Sequence, residues 1–461
     1  MTLTPTNARI APTAVITAAG ALAAYEFAVT TGAPEAYQAA ADQLADVVRR
    51  GGHKPKPKTS SEAAPKPAKR KAEKPVEAQA GIFNAQNMYA AVQRVTRVLE
   101  TRSIPILQYV RIRVAEGRMM ISGTDLDMEI VEVLFDCDAP EMDVCVPGKL
   151  LLSALQGARG GIALDLGVNR LNLSFGGVQH NLTVLDAGDY PSTPKLKPVA
   201  SFNMPVHELR EKLKFVVDGI STEETRFYLN GVWIHLTTGA DGIQLTMVST
   251  DGHRLFRDCT LAPPITGDRA MVQDGVIIPR KGVNWLLRNM PKTGNVSMVY
   301  SKPSEAYDDP KAGIRITFEF DQTMMITKVI DGSYPDYGRV IPGDRDKRII
   351  VRLEDTAAAA EVVTRVASVN KEKSRAGHFS LSQERVSVKV KSHEGGEAEA
   401  YIPAAGAAGT GVDIGINVTY FLDAVTKAKR AEMIVGAENE PVRVDFPDHP
   451  GRTAVLMPLR L

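Results

Sequence analysis

At 461 residues, with 44% hydrophobic and 24% charged side chains, the chain has the composition of a soluble globular protein of about three domains. A formal charge of +1 excludes attraction to nucleic acid by overall charge, so any basic DNA-facing surface has to be a local patch. Three scattered cysteines (Cys137, Cys145, Cys259) exclude a disulfide framework and a paired zinc site and fit a reducing, cytoplasmic setting; no apolar run reaches the ~18–20 residues of a membrane span.

Residues 1–52 read as an Ala-rich helical extension. Its main apolar side chains, Tyr25, Phe27, Tyr37, Leu44 and Val47, are too few for an independent core. Ile10 to Ala24 has the outline of a signal peptide, but it is rich in Ala and Thr rather than Leu and follows a nearly uncharged start, which argues against secretion. Residues 53–80 form a Lys/Pro-rich linker expected to be disordered. Between His53 and Lys74, seven Lys and one Arg stand against two Glu. A solvated tether is the plainer reading of that run, and contact with DNA or RNA is the other.

From residue 81 one programme repeats three times: an amphipathic helix, a set of strands, then a second apolar helix. Met88, Val92, Val95 and Leu99 fall at helical spacing, as do Leu209, Leu213, Val216 and Ile220. The third copy keeps Ala359, Val363 and Val366 but has Asn370 in the last place. Second helices are expected within VPGKLLLSAL (Val146 to Leu155), IPRKGVNWLL (Ile278 to Leu287) and INVTYFLDAV (Ile416 to Val425). Thr124-Asp125 is echoed by Thr250-Asp251, and Tyr190-Pro191 by Tyr334-Pro335. Alternating runs such as Val110, Ile112, Val114 and Val386, Val388, Val390 read as half-buried strands. The expectation is an α+β protein of three similar domains, 81–199, 200–347 and 348–461, with antiparallel sheets outside and helices on one face. Ser301 to Gly313 reads as a surface loop.

Catalytic chemistry is not legible. The glycines of AAGAAGTGVD (Ala404 to Asp413) precede a strand-like run rather than a helix, so a phosphate loop fails on context. GARGG from Gly157 reads as a turn. His253 lies beside Asp251 and Arg254, but no nucleophile accompanies it, and a structural or binding role is the simpler reading. No ligand spacing suggests a metal, and no cofactor is expected.

Several words together carry a resemblance: RSIPILQYV (Arg102 to Val110), GTDLDMEI (Gly123 to Ile130), TRFYLNGV (Thr225 to Val232), STDGHRLF (Ser249 to Phe256), VIIPRKGV (Val276 to Val283), IDGSYPDYGRVIP (Ile330 to Pro342) and the terminal VLMPLRL (Val455 to Leu461). They resemble, in order, the bacterial DNA polymerase III beta subunit family, the sliding clamps, over about residues 81–461. Residues 1–80 lie outside the resemblance. It implies a DNA clamp fold, two helices of each domain facing the hole of a ring, and a head-to-tail homodimer around duplex DNA. It implies no enzymatic activity. The partners it implies are DNA polymerase, the clamp loader and repair proteins, held through short clamp-binding peptides. A clamp-derived peptide-binding scaffold that does not load on DNA is the alternative.

By the same resemblance, Arg102, Lys149, Arg226, Phe227, Tyr228, Arg280 and Lys281 would face DNA; for Arg226 a structural ion pair is the competing role. The peptide pocket would use Leu229, Thr250, Gly252, His253, Arg254 and Leu255 from domain two. Pro335, Arg339 and Val340 would come from the junction, and Tyr420, Val442, Val455, Met457, Pro458, Leu459 and Arg460 from domain three. Leu255, Val340, Val455 and Met457 would form its apolar wall, although Val455 and Met457 on their own read as plain core. His180 and Leu182 would lie at the dimer face, and a buried His180 would make closure pH-sensitive. Gly338, Asn439 and Pro441 depart from the family's usual residues around the pocket.

Overall fold

The computed structural model describes residues 81–100, 104–135, 140–191, 193–303, 313–343, 349–370, 372, 376–382, 386–408 and 411–460. The readings for residues 1–80, Arg102, Cys137, Leu461 and most of the Ser301 to Gly313 loop lie outside them.

Within 81–461 each repeat runs strand, helix, three strands, strand, helix, three strands, with one short extra strand in each, at Leu185–Asp186, Ile265–Gly267 and Ala405–Ala408. The helices are α1 (Ala85–Thr96), α2 (Gly148–Ala154), α3 (Val206–Val216), a short extra α4 (Arg269–Asp274), α5 (Arg280–Asn289), α6 (Thr356–Ala367) and α7 (Val418–Val425). Asn84 starts α1 by accepting the N–H groups of Gln86 and Asn87 at 3.0 and 3.1 Å, and Asp355 caps α6 at the Ala358 N–H at 3.0 Å. Met88, Val92 and Val95 of α1, Leu209, Leu213 and Val216 of α3, and Ala359, Val363 and Val366 of α6 are buried, as their spacing predicts. The fourth position differs in each copy. Leu99, Ile220 and Asn370 lie just past the helix ends. The polar Asn370 is tolerated there because its amide donates to the Lys391 carbonyl at 2.9 Å and accepts the Glu372 N–H at 2.8 Å.

Every strand pair is antiparallel, and the two large sheets cross domain boundaries. In a ten-stranded sheet, Thr323–Lys328 of domain two pairs with Met128–Leu134 of domain one, Met325 opposite Ile130 and Thr323 opposite Glu132. In a nine-stranded sheet, Arg452–Leu456 of domain three pairs with Arg254–Leu261 of domain two, Leu255 opposite Val455 and Asp258 opposite Arg452. Domains one and three each keep a four-stranded sheet, with Val178–Thr183 at one edge of the first and Glu397–Ile402 at one edge of the second.

Both junctions bury a carboxylate at the same place in the ladder. Glu132 is bound by Arg94 from α1 at 2.7 and 2.6 Å and by the Thr323 hydroxyl at 2.9 Å. Asp258 is bound by Lys212 from α3 at 2.7 Å and by Arg452 at 2.8 Å. A charge so removed from water is tolerated only with such partners.

Candidate functional site

At the second junction the ladder itself builds a small apolar cluster. Leu255 and Val455, 2% and 1% exposed, pack with Val248 in a cluster separate from the main core. Trp233, Tyr334, Tyr337 and Ile341 border it. The backbone at the rim is set by Thr250-Asp251. The Thr250 hydroxyl donates to the Arg254 carbonyl at 2.7 Å and accepts the Gly252 N–H at 3.1 Å; Asp251 accepts the N–H groups of His253 and Arg254 at 2.9 and 3.0 Å. Gly252 sits at φ 88°, and a Cβ there would lie 2.6 Å from the Arg226 guanidinium, so the position requires glycine.

Domain three closes the rim. The Arg254 guanidinium lies 4.4 Å over the Tyr420 ring and pairs with Asp251 at 3.1 Å and with Asp423. The His253 ring stacks with Tyr420 at 6.4 Å, and the His253 carbonyl accepts the Met457 N–H at 2.9 Å. Leu459 bridges to Gly415, leaving Met457, Pro458 and Leu459 half-buried and Arg460 exposed. From the junction, Pro335 and Arg339 are exposed, and Val340 is 43% exposed beside the floor. Arg339 pairs with Asp336 at 2.9 Å, and Asp336 also accepts the Gly338 N–H. Asn439 is exposed and Pro441 half-buried. Leu229 and Val442 are buried side chains, and Val442 belongs to the main core, so it backs the wall rather than presenting surface.

An aromatic buttress that the motifs did not announce holds the junction segment. Trp233 stacks on His235 at 3.6 Å and on Tyr334 at 5.2 Å. His235 is buried, with Nδ1 3.3 Å from the Thr246 carbonyl and Nε2 3.1 Å from the Tyr337 hydroxyl. The carbonyl can only accept, so Nδ1 carries the proton and Nε2 accepts from Tyr337. Burial pushes the His235 pKa down to about 4 and the Tyr337 hydroxyl up to about 12. Two aromatic residues two apart on a strand, with a Tyr-x-x-Tyr in the following linker, were the available signal.

The basic candidates are distributed over the first two domains. Lys149 is exposed on α2, and Arg280 is exposed at the first residue of α5, where the helix dipole favours an anion although the Arg280 N–H itself donates to the Asn230 carbonyl at 2.9 Å. Lys281 reaches back to domain one, pairing with Asp125 and donating to the Val98 carbonyl at 3.3 Å. Arg226 pairs with Glu223 at 2.7 Å, which satisfies the ion-pair reading and places it against the Gly252 turn. Phe227 is 52% exposed and meets Tyr228 edge-on at 5.8 Å. His180 and Leu182 are half-buried on the open edge strand of domain one, His180 stacked on Phe175 at 5.3 Å. Among the described residues no cluster of three His, Cys, Asp or Glu could hold a metal, and no helix is long and apolar enough to cross a membrane.

Three similar α+β domains joined by shared sheets, with a separate apolar cluster at the second junction, define the class of the DNA clamps. Family profiles agree: the DNA polymerase III beta subunit N-terminal, central and C-terminal domains match residues 82–194, 203–336 and 338–460. The beta sliding clamp of Caulobacter vibrioides is 32% identical over 379 residues, covering 80% of this chain and 97% of that one. That of Escherichia coli K12 is 26% identical over 382 residues, covering 82% and 98%. The crystal structure of a sliding clamp from Bartonella birtlesii bound to griselimycin superposes with a TM-score of 0.74 at 27% identity, over 83% of this chain and 100% of that one. The chain belongs to the DNA polymerase III beta subunit family and is a processivity clamp of DNA replication.

Proposed function

We propose that two copies of this chain close head to tail into a ring that encircles duplex DNA without reading its sequence. In this reading the groove at the second junction tethers DNA polymerase, and in turn the clamp loader and repair proteins, through short peptides with apolar anchors. The supporting observation is the sheet topology. Each domain boundary within the chain is joined by strand pairing, while Val178–Thr183 and Glu397–Ile402 remain as edges that a second copy would join.

The helices of each domain would then line the hole. Lys149, Arg280 and Lys281, with Arg102, Arg226, Phe227 and Tyr228, would supply loose contacts to the phosphate backbone, which hold without fixing register and so permit sliding. Leu255, Val340, Val455 and Met457 would receive the apolar anchors of a peptide, with Arg254 and Arg460 at the border. A ring that acts by topology needs no catalytic group, and the reading is of a cytoplasmic protein that is not an enzyme.

Retention on nicked circular DNA, after loading by its loader, tests the ring. Retention should be lost when the circle is linearised. Equal retention on linear DNA overturns the topological reading, and a monomer that still binds a clamp-binding peptide supports the scaffold instead.

A further inference from the structure

At the second junction the sheet turns polar immediately beside the apolar cluster. Leu255 faces Val455 across the ladder; two residues along, on the same face, Arg257 faces Thr453, and Asp445 follows on the next strand. The corresponding rows of the first junction are Glu129 opposite Ile326 and Val131 opposite Met324, with no cation in either. A cavity of about 430 Å³ is lined by Arg257, Thr453, Asp445, Arg443, Glu432 and Ile341, among others. Ile341 also borders the apolar cluster, so cavity and cluster adjoin. The acids of the cavity already have cations: Arg443 holds Asp445 at 2.9 Å, and Arg352 holds Glu432 at 3.0 Å. Arg452, at its edge, is held by Asp258 at 2.8 Å. Arg257 pairs with no carboxylate among the described residues. Half-buried, it donates to the Thr453 hydroxyl at 3.3 Å and leaves Nε buried without an acceptor. Its charge is close enough to act on the Tyr337 hydroxyl. A buried donor left without an acceptor is costly, so a cation in this state calls for an anion.

We infer that Arg257 sets partner specificity at the second junction: it receives the carboxylate of an Asp or Glu side chain that a partner peptide carries close to its apolar anchor. This deepens the peptide reading above and rests on it. Side chains two apart on a strand stand about 7 Å from one another, which is also the spacing of alternate side chains on an extended peptide. An anchor seated at Leu255 therefore brings a side chain two positions away within reach of Arg257. A guanidinium prefers a carboxylate to an amide of the same shape, because it supplies paired N–H donors as well as full charge. Asp445 and Glu432 do not reverse this preference, since each is matched by its own arginine and the surplus charge of the cavity sits on Arg257.

The test uses the full chain and fluorescein-labelled, C-terminally amidated clamp-binding peptides with leucine anchors. Glu, Gln or Lys is placed in turn at each of the two positions on either side of the anchors, and affinity is read by anisotropy. At one position Glu should bind roughly 10-fold tighter than Gln, with Lys weakest. In Arg257→Gln the Glu and Gln peptides should bind alike while the Gln peptide keeps its wild-type affinity, which also shows that the variant is folded. Arg257→Glu should reverse the order and favour Lys. Equal binding of Glu and Gln at every position overturns the inference, as does a Glu preference that survives in Arg257→Gln, which would belong to the arginines of the rim. Weaker binding of all peptides alike in Arg257→Gln makes the residue structural and overturns it too. An Arg257 dependence seen only with a free C-terminal carboxylate assigns the cavity to a chain end and overturns the acidic side chain. A wild-type chain that binds none of the peptides sinks the peptide reading itself, a different failure.

Discussion

The two junctions within the chain use one strand pairing and reach opposite surfaces. At the second, Leu255 faces Val455, and Trp233, Tyr334 and Tyr337 stand beside the pair. At the first, the same ladder position holds Glu129 opposite Ile326. Glu129 is engaged by Thr193, and burial raises its pKa. The tyrosine matching Tyr334 is Tyr190, buried on Cys145 and Ala187 instead of stacked on a tryptophan. A cavity of about 60 Å³ is all that remains around Glu129, Pro191 and Ile326. An apolar floor accepts the anchor of a peptide at little desolvation cost, and a half-buried carboxylate does not. Repetition of the fold thus supplies two junctions, and one substitution in the ladder with its buttress gives only one of them an apolar cluster bordered by stacked aromatic rings.

Their carboxylate pins offer the sharpest way to break the comparison. Asp258→Asn leaves Arg452 without its carboxylate and Lys212 with only Glu208, 4.0 Å away, and should destabilise by about 3–5 kcal/mol. Glu132→Gln strands only the partly exposed Arg94 and should cost less. Urea denaturation of both variants checks the order, and equal losses would mean that the pins are equivalent.

The buttress gives the next effect. His235 is neutral when folded, with a pKa of about 4, against about 6.5 when unfolded. Between these values the unfolded chain binds a proton that the folded chain refuses. Stability conferred by the neutral ring is complete above pH 6.5 and falls progressively towards pH 4, by about 3 kcal/mol in all. The difference between the wild-type and His235→Phe stability curves from pH 4 to 7.5 isolates this slope, and parallel curves would remove His235 from the account. Peptide affinity of the folded protein should hold over that interval and fall only near pH 4, where the folded ring itself takes up a proton beside Tyr337.

The smallest expected change sharpens the contrast between the floors. Glu129→Leu replaces a partly desolvated acid with an apolar side chain and should shift stability at neutral pH by less than about 1 kcal/mol. Peptide stoichiometry by calorimetry should stay at one per chain, because the aromatic border is absent at this junction. A second site would show that the charge alone had closed it.

Much of the fold was legible because burial of a helix face is a local matter of spacing. Met88, Val92 and Val95 announce α1 without any knowledge of their partners. The helix ends were less so: Leu99, Ile220 and Asn370 continue the spacing past the last turn, where tertiary contacts rather than helical geometry decide how far each is buried. The Thr250 to Leu255 turn and the Tyr334 to Val340 linker were legible as words, and the structure brings Leu255, Tyr334 and Tyr337 into one cluster. Trp233 and His235 belong to no motif of the sequence, since only the fold brings Tyr334 and Tyr337 onto them. Val442 was assigned to the pocket by resemblance, yet its side chain faces the main core.

Periodicity and repeated motifs, by themselves, determined that this chain has three like domains, where their helices lie and which faces are buried. Each of those properties is set by neighbours a few residues away. Which strand completes which sheet was decided only in the tertiary structure. The partner of Asp258 is Arg452, in another domain, and no local period encodes what stands opposite across a sheet. The pins, the groove and the two unfilled edges all depend on that long-range pairing, and so they emerge only when the packed sheets bring the strands together.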